Sequence, residues 1–141
     1  MTKESPGRGR GLKPTLNGRG LGAPAALERS RAVVAVSLNP AFPVSERLAV
    51  MEFIMADACM AFRNYGSAAI SLVDLAAGQV DGYVGVGLST WDVMGGFAVT
   101  RALGIEDTVD WARLELSSKM KFVGGSRAFL DAFAPVGERL R

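Results

Sequence analysis

Apolar positions recur along this chain in two rhythms, one of period two and one of three to four residues, and together they outline its elements. "RAVVAVSLNP" (31–40) is a β-branched run closed by Asn-Pro, and it reads as a buried strand. In 44–62, Leu48, Met51, Met55, Ala58 and Phe62 recur at spacings of three and four. That spacing predicts a helix with Ser45 as N-cap and its methionines in the core. "GSAAISLVDLAAG" (66–78) is apolar almost all round and ends on Gly78, so it predicts a helix buried on more than one side. A strand at 79–86 follows, then a helix at 89–104 capped by Ser89 or Thr90. "TVDWARLEL" (108–116) alternates and predicts a strand, and "MKFVGG" (120–125) a short one. Ser126 caps a last helix reaching about Phe133, which Pro135 follows. Upstream, Asn17-Gly18 between short apolar positions predicts a tight hairpin within 12–21, because both residues tolerate positive φ. Strands alternating loosely with helices give an α/β fold, a layered α/β sandwich with a mixed sheet.

Length and charge refine this order without disturbing it. The 141 residues amount to one domain, with 49% hydrophobic and 21% charged residues. Residues 1–31 carry seven basic side chains against two acidic ones, whereas the remainder carries nine against twelve. The basic excess therefore belongs to the start of the chain. Residues 1–11, "MTKESPGRGRG", read as a flexible basic leader, and 12–141 as the folded lobe. No aromatic residues interleave with the leader's arginines, so no nucleic-acid partner is expected. No apolar run reaches the ~18 residues of a spanning helix, and the start has no apolar signal core. Neither a membrane partner nor secretion is expected.

Cysteine and histidine counts narrow the chemistry. The lone Cys59 permits no internal disulfide, which suits a cytoplasmic location. Without histidine there is no imidazole base and no Cys/His zinc site. A metal here would need oxygen ligands, as magnesium, manganese or calcium do.

Three segments are candidates for that chemistry, and each also has a plain structural reading. Asp92 in "GLSTWDVMGG" is either a first-turn acid suited to the helix dipole or a metal ligand at a helix start. In "NYGSAA" the amides of Gly66, Ser67 and Ala68 either form an ordinary turn and cap or open toward an oxyanion. "DGYVGVG" (81–87) is glycine-rich but does not match a phosphate loop.

The run 63–104 resembles the C-terminal half of the inositol monophosphatase family. The resemblance is carried by Gly66-Ser67-Ala68-Ala69, by "AAGQVDGY" at 76–83, and by Trp91-Asp92 opening an apolar helix. The hairpin "LNG" at 16–18 and "KFVGGSRAFLDAF" at 121–133 extend it to roughly 12–135. It implies the fold of that family's C-terminal lobe and a magnesium-dependent hydrolysis of a small inositol or sugar phosphate. Asp92 is then a metal ligand, and Gly66, Ser67 and Ala68 lie at the substrate. The family's other metal-binding carboxylates, a paired-glutamate helix and an Asp-Pro-x-Asp-Gly-Thr segment, have no counterpart in this chain. Gly85 stands where many inositol-specific members have a glutamate. The expectation is therefore a lobe that works once an N-terminal lobe on a partner chain completes it. The alternative is an inactive remnant serving as an interaction or oligomerisation module. A homo-oligomer is also expected, through an apolar surface left open, with the methionine face of 44–62 as its contact.

Overall fold

A computed structural model describes residues 13–140. The predicted leader at 1–11 lies outside the described residues. Strands β1 (Thr15–Leu16) and β2 (Arg19–Gly20) form the expected antiparallel hairpin, with Asn17 at φ 52° and Gly18 at φ 77°.

The body is one five-stranded mixed sheet built from β3 (Val33–Leu38), β4 (Ala61–Arg63), β5 (Gly82–Ser89), β6 (Glu106–Asp107) and β7 (Lys119–Gly125). Its spatial order is β4-β3-β5-β7-β6. The strands β4, β3 and β5 run parallel, while β7 is antiparallel to both β5 and β6. Helices α1 (Val44–Glu52), α4 (Arg127–Ala132) and α5 (Ala134–Arg139) cover one face. Helices α2 (Ala68–Ala76) and α3 (Thr90–Ala102) cover the other. This is the layered α/β sandwich that the pattern of apolar residues predicted.

Two hydrophobic clusters result, one on each face. Val34, Val36, Val84, Phe129 and Phe133 belong to the first, together with Val50, Phe53 and Ile54. Ala35, Tyr83, Phe97 and Phe122 belong to the second, together with Leu72 and Leu75 of α2. Alternate residues of β3 and β5 point to opposite clusters, as the pleat requires.

Three expectations fail in instructive ways. The helix predicted over 44–62 stops at Glu52 and continues only as a π-helical turn at Phe53–Asp57. Cys59 then takes a left-handed conformation, φ 52°, and 61–63 become β4 alongside β3. Pro43, not Ser45, is the N-cap of α1. Of the predicted stripe only Ala58 is buried, and Leu48, Met55 and Phe62 are exposed. Backbone pairing with β3 outweighs the helical period there, and the core contacts pass to Val50, Phe53 and Ile54. The predicted strand at 108–116 is instead a 3₁₀ turn at Trp111–Arg113. The fully buried Asp107 carboxylate accepts hydrogen bonds from Arg101, the Val109 amide and the Trp111 indole, and this shapes the turn. The helix at 66–78 forms as α2 but is not buried on most sides, since Ile70 and Val73 are about half exposed.

Candidate functional site

The chain crosses between its parallel strands on opposite faces. The connection from β3 to β4 runs through α1 on the first face, and the one from β4 to β5 runs through α2 on the second. The direction of strand order reverses at β3, and ligands of such sheets bind beyond the carboxyl ends of the strands at that reversal. Both candidate segments lie on this edge: 64–67 follow β4, and Asp92 stands in the first turn of α3 directly after β5.

The start of α2 is built by local chemistry. Gly66 sits at φ 67°, a conformation that side chains with a Cβ rarely adopt, and its amide donates to Asn64 Oδ1 at 3.0 Å. Ser67 is the N-cap, its hydroxyl accepting from the Ile70 amide at 3.3 Å. The Ser71 hydroxyl donates to the Ser67 carbonyl at 2.9 Å. Of the three amides named from sequence, that of Gly66 is thus engaged by Asn64.

At α3, strand β5 passes into the helix without a loop. A bulge between Val86 and Leu88, with Gly87 at φ 82°, redirects the chain. Ser89 is the N-cap by position, but its hydroxyl does not cap the helix. It accepts a 2.6 Å hydrogen bond from Lys119 Nζ instead. Asp92 is exposed, and no ion pair among the described residues involves it. It lies at the rim of a groove of about 400 Å³ between α2 and α3 whose other lining residues include Ala69, Val73, Trp91, Gly95 and Val99. Among the described residues there is no group of three or more acidic, histidine or cysteine side chains able to hold a metal. Asp92 alone does not fit a magnesium ion, which takes several oxygen ligands.

Beneath the groove lies a polar feature that the sequence pattern did not disclose. Tyr83 is fully buried and donates to Ser37 Oγ at 2.8 Å. Burial pushes its phenol up to about 12, against the lowering effect of hydrogen bonds with Ser37 and Ser71, and the Asp92 charge adds to the rise. Tyr83 is therefore a neutral structural donor. Ser71, one of two polar residues in α2, joins this feature from the helix side. Two cations also reach this edge, Lys119 opposite Ser89, and Arg63 at the end of β4, whose guanidinium donates to Tyr65 Oη at 3.4 Å.

The glycines of 81–87 form no loop for phosphate. Gly82 and Gly85 lie within β5, where a Cβ would stand 2.0 Å from Phe129 Cζ and 2.4 Å from Phe122 Cζ respectively. Asp81 fixes the sheet, its carboxylate accepting from the Val33 amide at 2.8 Å.

An α/β lobe with this strand order and with Trp-Asp opening a helix at the sheet's carboxyl edge belongs to a known class of phosphatase-family folds. The inositol monophosphatase family model matches residues 10–121, and the chain belongs to that family. It is 39% identical to the Nus factor SuhB of Pasteurella multocida over 83 residues, 55% of this chain and 31% of that protein. It is 44% identical to the inositol-1-monophosphatase of Synechocystis over 57 residues, 40% of this chain and 20% of that protein. In fold it resembles the extragenic suppressor protein suhB of Bartonella henselae, with a TM-score of 0.72 and 24% identity over 94% of this chain and 50% of that one. The chain thus spans about half the length of that solved relative, and its matched segments cover a third or less of the two curated ones. None of its helices, among the described residues, is long and apolar enough to cross a membrane.

Proposed function

We propose that this lobe serves a magnesium-dependent phosphomonoesterase acting on a small inositol or sugar phosphate, completed by a second lobe that carries the remaining metal-binding carboxylates. The observation that carries this reading is Asp92, an exposed carboxylate without an ion-pair partner among the described residues, at a helix start on the carboxyl edge of the parallel strands. Its role is to supply one ligand of a shared ion. Gly66, Ser67 and Ala68, at the neighbouring helix start, are assigned to the substrate phosphate, with the Ser67 and Ala68 amides as its donors because that of Gly66 is held by Asn64.

The same reading narrows the substrate. A glutamate at position 85 would collide with Phe122, which occupies the space where its Cβ would stand. This lobe therefore offers no carboxylate from β5 to accept a polyol hydroxyl, and discrimination among inositol phosphates is expected to be weak.

Because Asp92 is the only carboxylate assigned to the ion, the chain by itself is expected to release no phosphate from inositol 1-phosphate at any magnesium concentration. The positive test is a fusion of the preceding half of the Pasteurella protein to residues 13–141. Magnesium-dependent hydrolysis that Asp92→Asn reduces by roughly a hundredfold or more supports the proposal. A folded Asp92→Asn fusion that is as active as the unsubstituted fusion refutes it. The second reading, an interaction module without catalysis, is favoured by the absence of a metal-holding cluster among the described residues. It wins if the fusion folds and remains inactive.

A further inference from the structure

The tip of the β1–β2 hairpin carries a chemistry that needs no partner lobe. Three asparagines occur in the sequence, at 17, 39 and 64. The backbone amide that follows an asparagine is a nucleophile held within reach of the side-chain carbonyl, and its attack closes a five-membered imide. Two of the three asparagines are guarded against it. Asn39 precedes Pro40, which has no N–H to lose. Its side chain is also engaged at both ends, Nδ2 donating to the Gly87 carbonyl at 2.8 Å and Oδ1 accepting from the Ala41 amide at 2.9 Å. Asn64 precedes the bulky Tyr65, and its Oδ1 accepts from the Gly66 amide at 3.0 Å.

Asn17 has none of this protection. It is exposed at the hairpin tip, and the residue after it is Gly18, with no side chain to shield the attacking nitrogen. A Cβ at Gly18 would meet no atom within 4 Å, and its amide has no backbone acceptor among the described residues. The turn that holds the pair is thin. Two register pairs close it, Thr15 with Gly20 and Leu16 with Arg19, and the Leu21 amide donates to the Pro14 carbonyl at 2.8 Å. Both tip residues are left-handed, φ 52° and 77°, and ring closure needs Asn17 to leave that conformation, so the hairpin opens first. No residue from 13 to 22 is buried, and a two-stranded unit of this size opens at little cost.

We propose that Asn17 is a site of spontaneous deamidation and that its isoaspartate product opens the hairpin. The Gly18 nitrogen attacks Asn17 Cγ and gives its proton to a solvent base. The bond from Cγ to the carboxamide nitrogen breaks, and that nitrogen takes a proton from solvent and leaves as ammonia. Water then adds to one of the two carbonyls of the imide, the bond from that carbonyl to the ring nitrogen breaks, and the nitrogen regains its proton. Opening at Cγ gives an ordinary aspartate. Opening at the backbone carbonyl gives isoaspartate, in which the chain runs through the side chain and is longer by one carbon. Either product adds one negative charge, but only the second alters the backbone. A two-residue turn fixes the register of its strands, so the added carbon takes Leu16 and Arg19 out of opposition. Leu16 and Leu21, which line the groove between α2 and α3, then lose their seat.

The test incubates the full chain, folded, in mildly alkaline buffer made with oxygen-18 water, beside a sample unfolded in urea. Peptide mapping by mass spectrometry with electron-transfer fragmentation reads acid, isotope and linkage at each asparagine. Position 17 of the folded chain should convert within roughly tenfold of its rate in urea, chiefly to isoaspartate carrying one labelled oxygen. Asn39 and Asn64 should stay intact. The isoaspartate form, separated by charge, should be cut by trypsin after Arg19 several-fold faster than the parent. Asn17→Asp adds the charge without the extra carbon, and Asp-Gly suits the same turn, so freshly purified variant should be cut at the parent's rate. An intact Asn17 in the folded chain after the urea sample has converted overturns the site. So does equal conversion at Asn39 or Asn64. An isoaspartate form cut no faster than the parent overturns the opening of the hairpin, as does an Asn17→Asp variant cut as fast as the isoaspartate form.

Discussion

Gly85 and Phe122 offer a quantitative check on how β5 and β7 meet beneath the candidate site. A methyl at position 85 would fall 2.4 Å from Phe122 Cζ, 2.5 Å from Cε1 and 2.9 Å from Leu88 Cδ1. The Phe122 ring is itself held, edge-on to Tyr83 at 5.0 Å and to Phe97 at 4.9 Å between centroids. It cannot swing away cheaply, so Gly85→Ala should cost about 1–3 kcal/mol as overpacking. Phe122→Leu removes three carbons, the ring's outer atoms that cause the clash. At ~0.8 kcal/mol per buried carbon that substitution costs about 2–3 kcal/mol. Independent effects would sum to about 3–6 kcal/mol. In the double variant the methyl at 85 enters space the ring has left, and only the mobile Leu88 methyl must shift. Its cost should be close to that of Phe122→Leu alone, a favourable coupling of about 1–3 kcal/mol. Urea unfolding followed by far-UV circular dichroism measures all four corners of the cycle, and a cost of about 2 kcal/mol moves the midpoint by about 1 M for a typical slope. Costs that add to within about 0.5 kcal/mol would refute the packing described.

Two neighbouring residues of α2 should respond in opposite ways to the same change. Leu72→Asp places a carboxylate at a 2% exposed position and should unfold the lobe, whereas Val73→Asp at 48% exposure should melt within a few degrees of the parent. Equal melting temperatures would show the face of α2 to be wrongly assigned. Tyr83 predicts an alkaline limit. Its folded pKa of about 12 stands above the unfolded value of 10.0, so the folded state holds the proton more tightly. The corresponding stability is fully present below pH 10 and is lost as pH rises toward 12, by about 1.4 kcal/mol per unit. Tyr83→Phe should remove that loss, and an unchanged alkaline slope in that variant would assign it elsewhere.

What the sequence disclosed were the features decided within a few residues. The Asn17-Gly18 turn and the Ser126 cap need only their immediate neighbours, and both appear as read. Trp91-Asp92 was legible because a two-residue signature opens the helix. The end of α1 was not legible, because it depends on β4 pairing with β3 some 28 positions earlier in register. Nor was the turn at 111–113, since the alternation of "TVDWARLEL" gives no sign that a buried Asp107 carboxylate gathers Arg101, Val109 and Trp111. The Tyr83–Ser37 pair spans 46 residues, and only the parallel alignment of β3 with β5 brings it together.

The core of this lobe and its exposed apolar residues lie on different surfaces. Each face of the sheet is closed by the chain's own helices, and the largest buried side chains, Tyr83, Phe97, Phe122, Phe129 and Phe133, lie between sheet and helix. Val73, Met94 and Val99 add little to that burial, each being more than 40% exposed. Selection for stability alone has no reason to keep such residues apolar, because a charged side chain at a half-exposed helical position costs little. It would also improve solubility. The exposed positions of α2 are Ala69, Ile70 and Val73, and its one charge, Asp74, is half-buried. The same separation lets substitutions at 73 and 99 change the surface while the core beneath Asp92 stays intact.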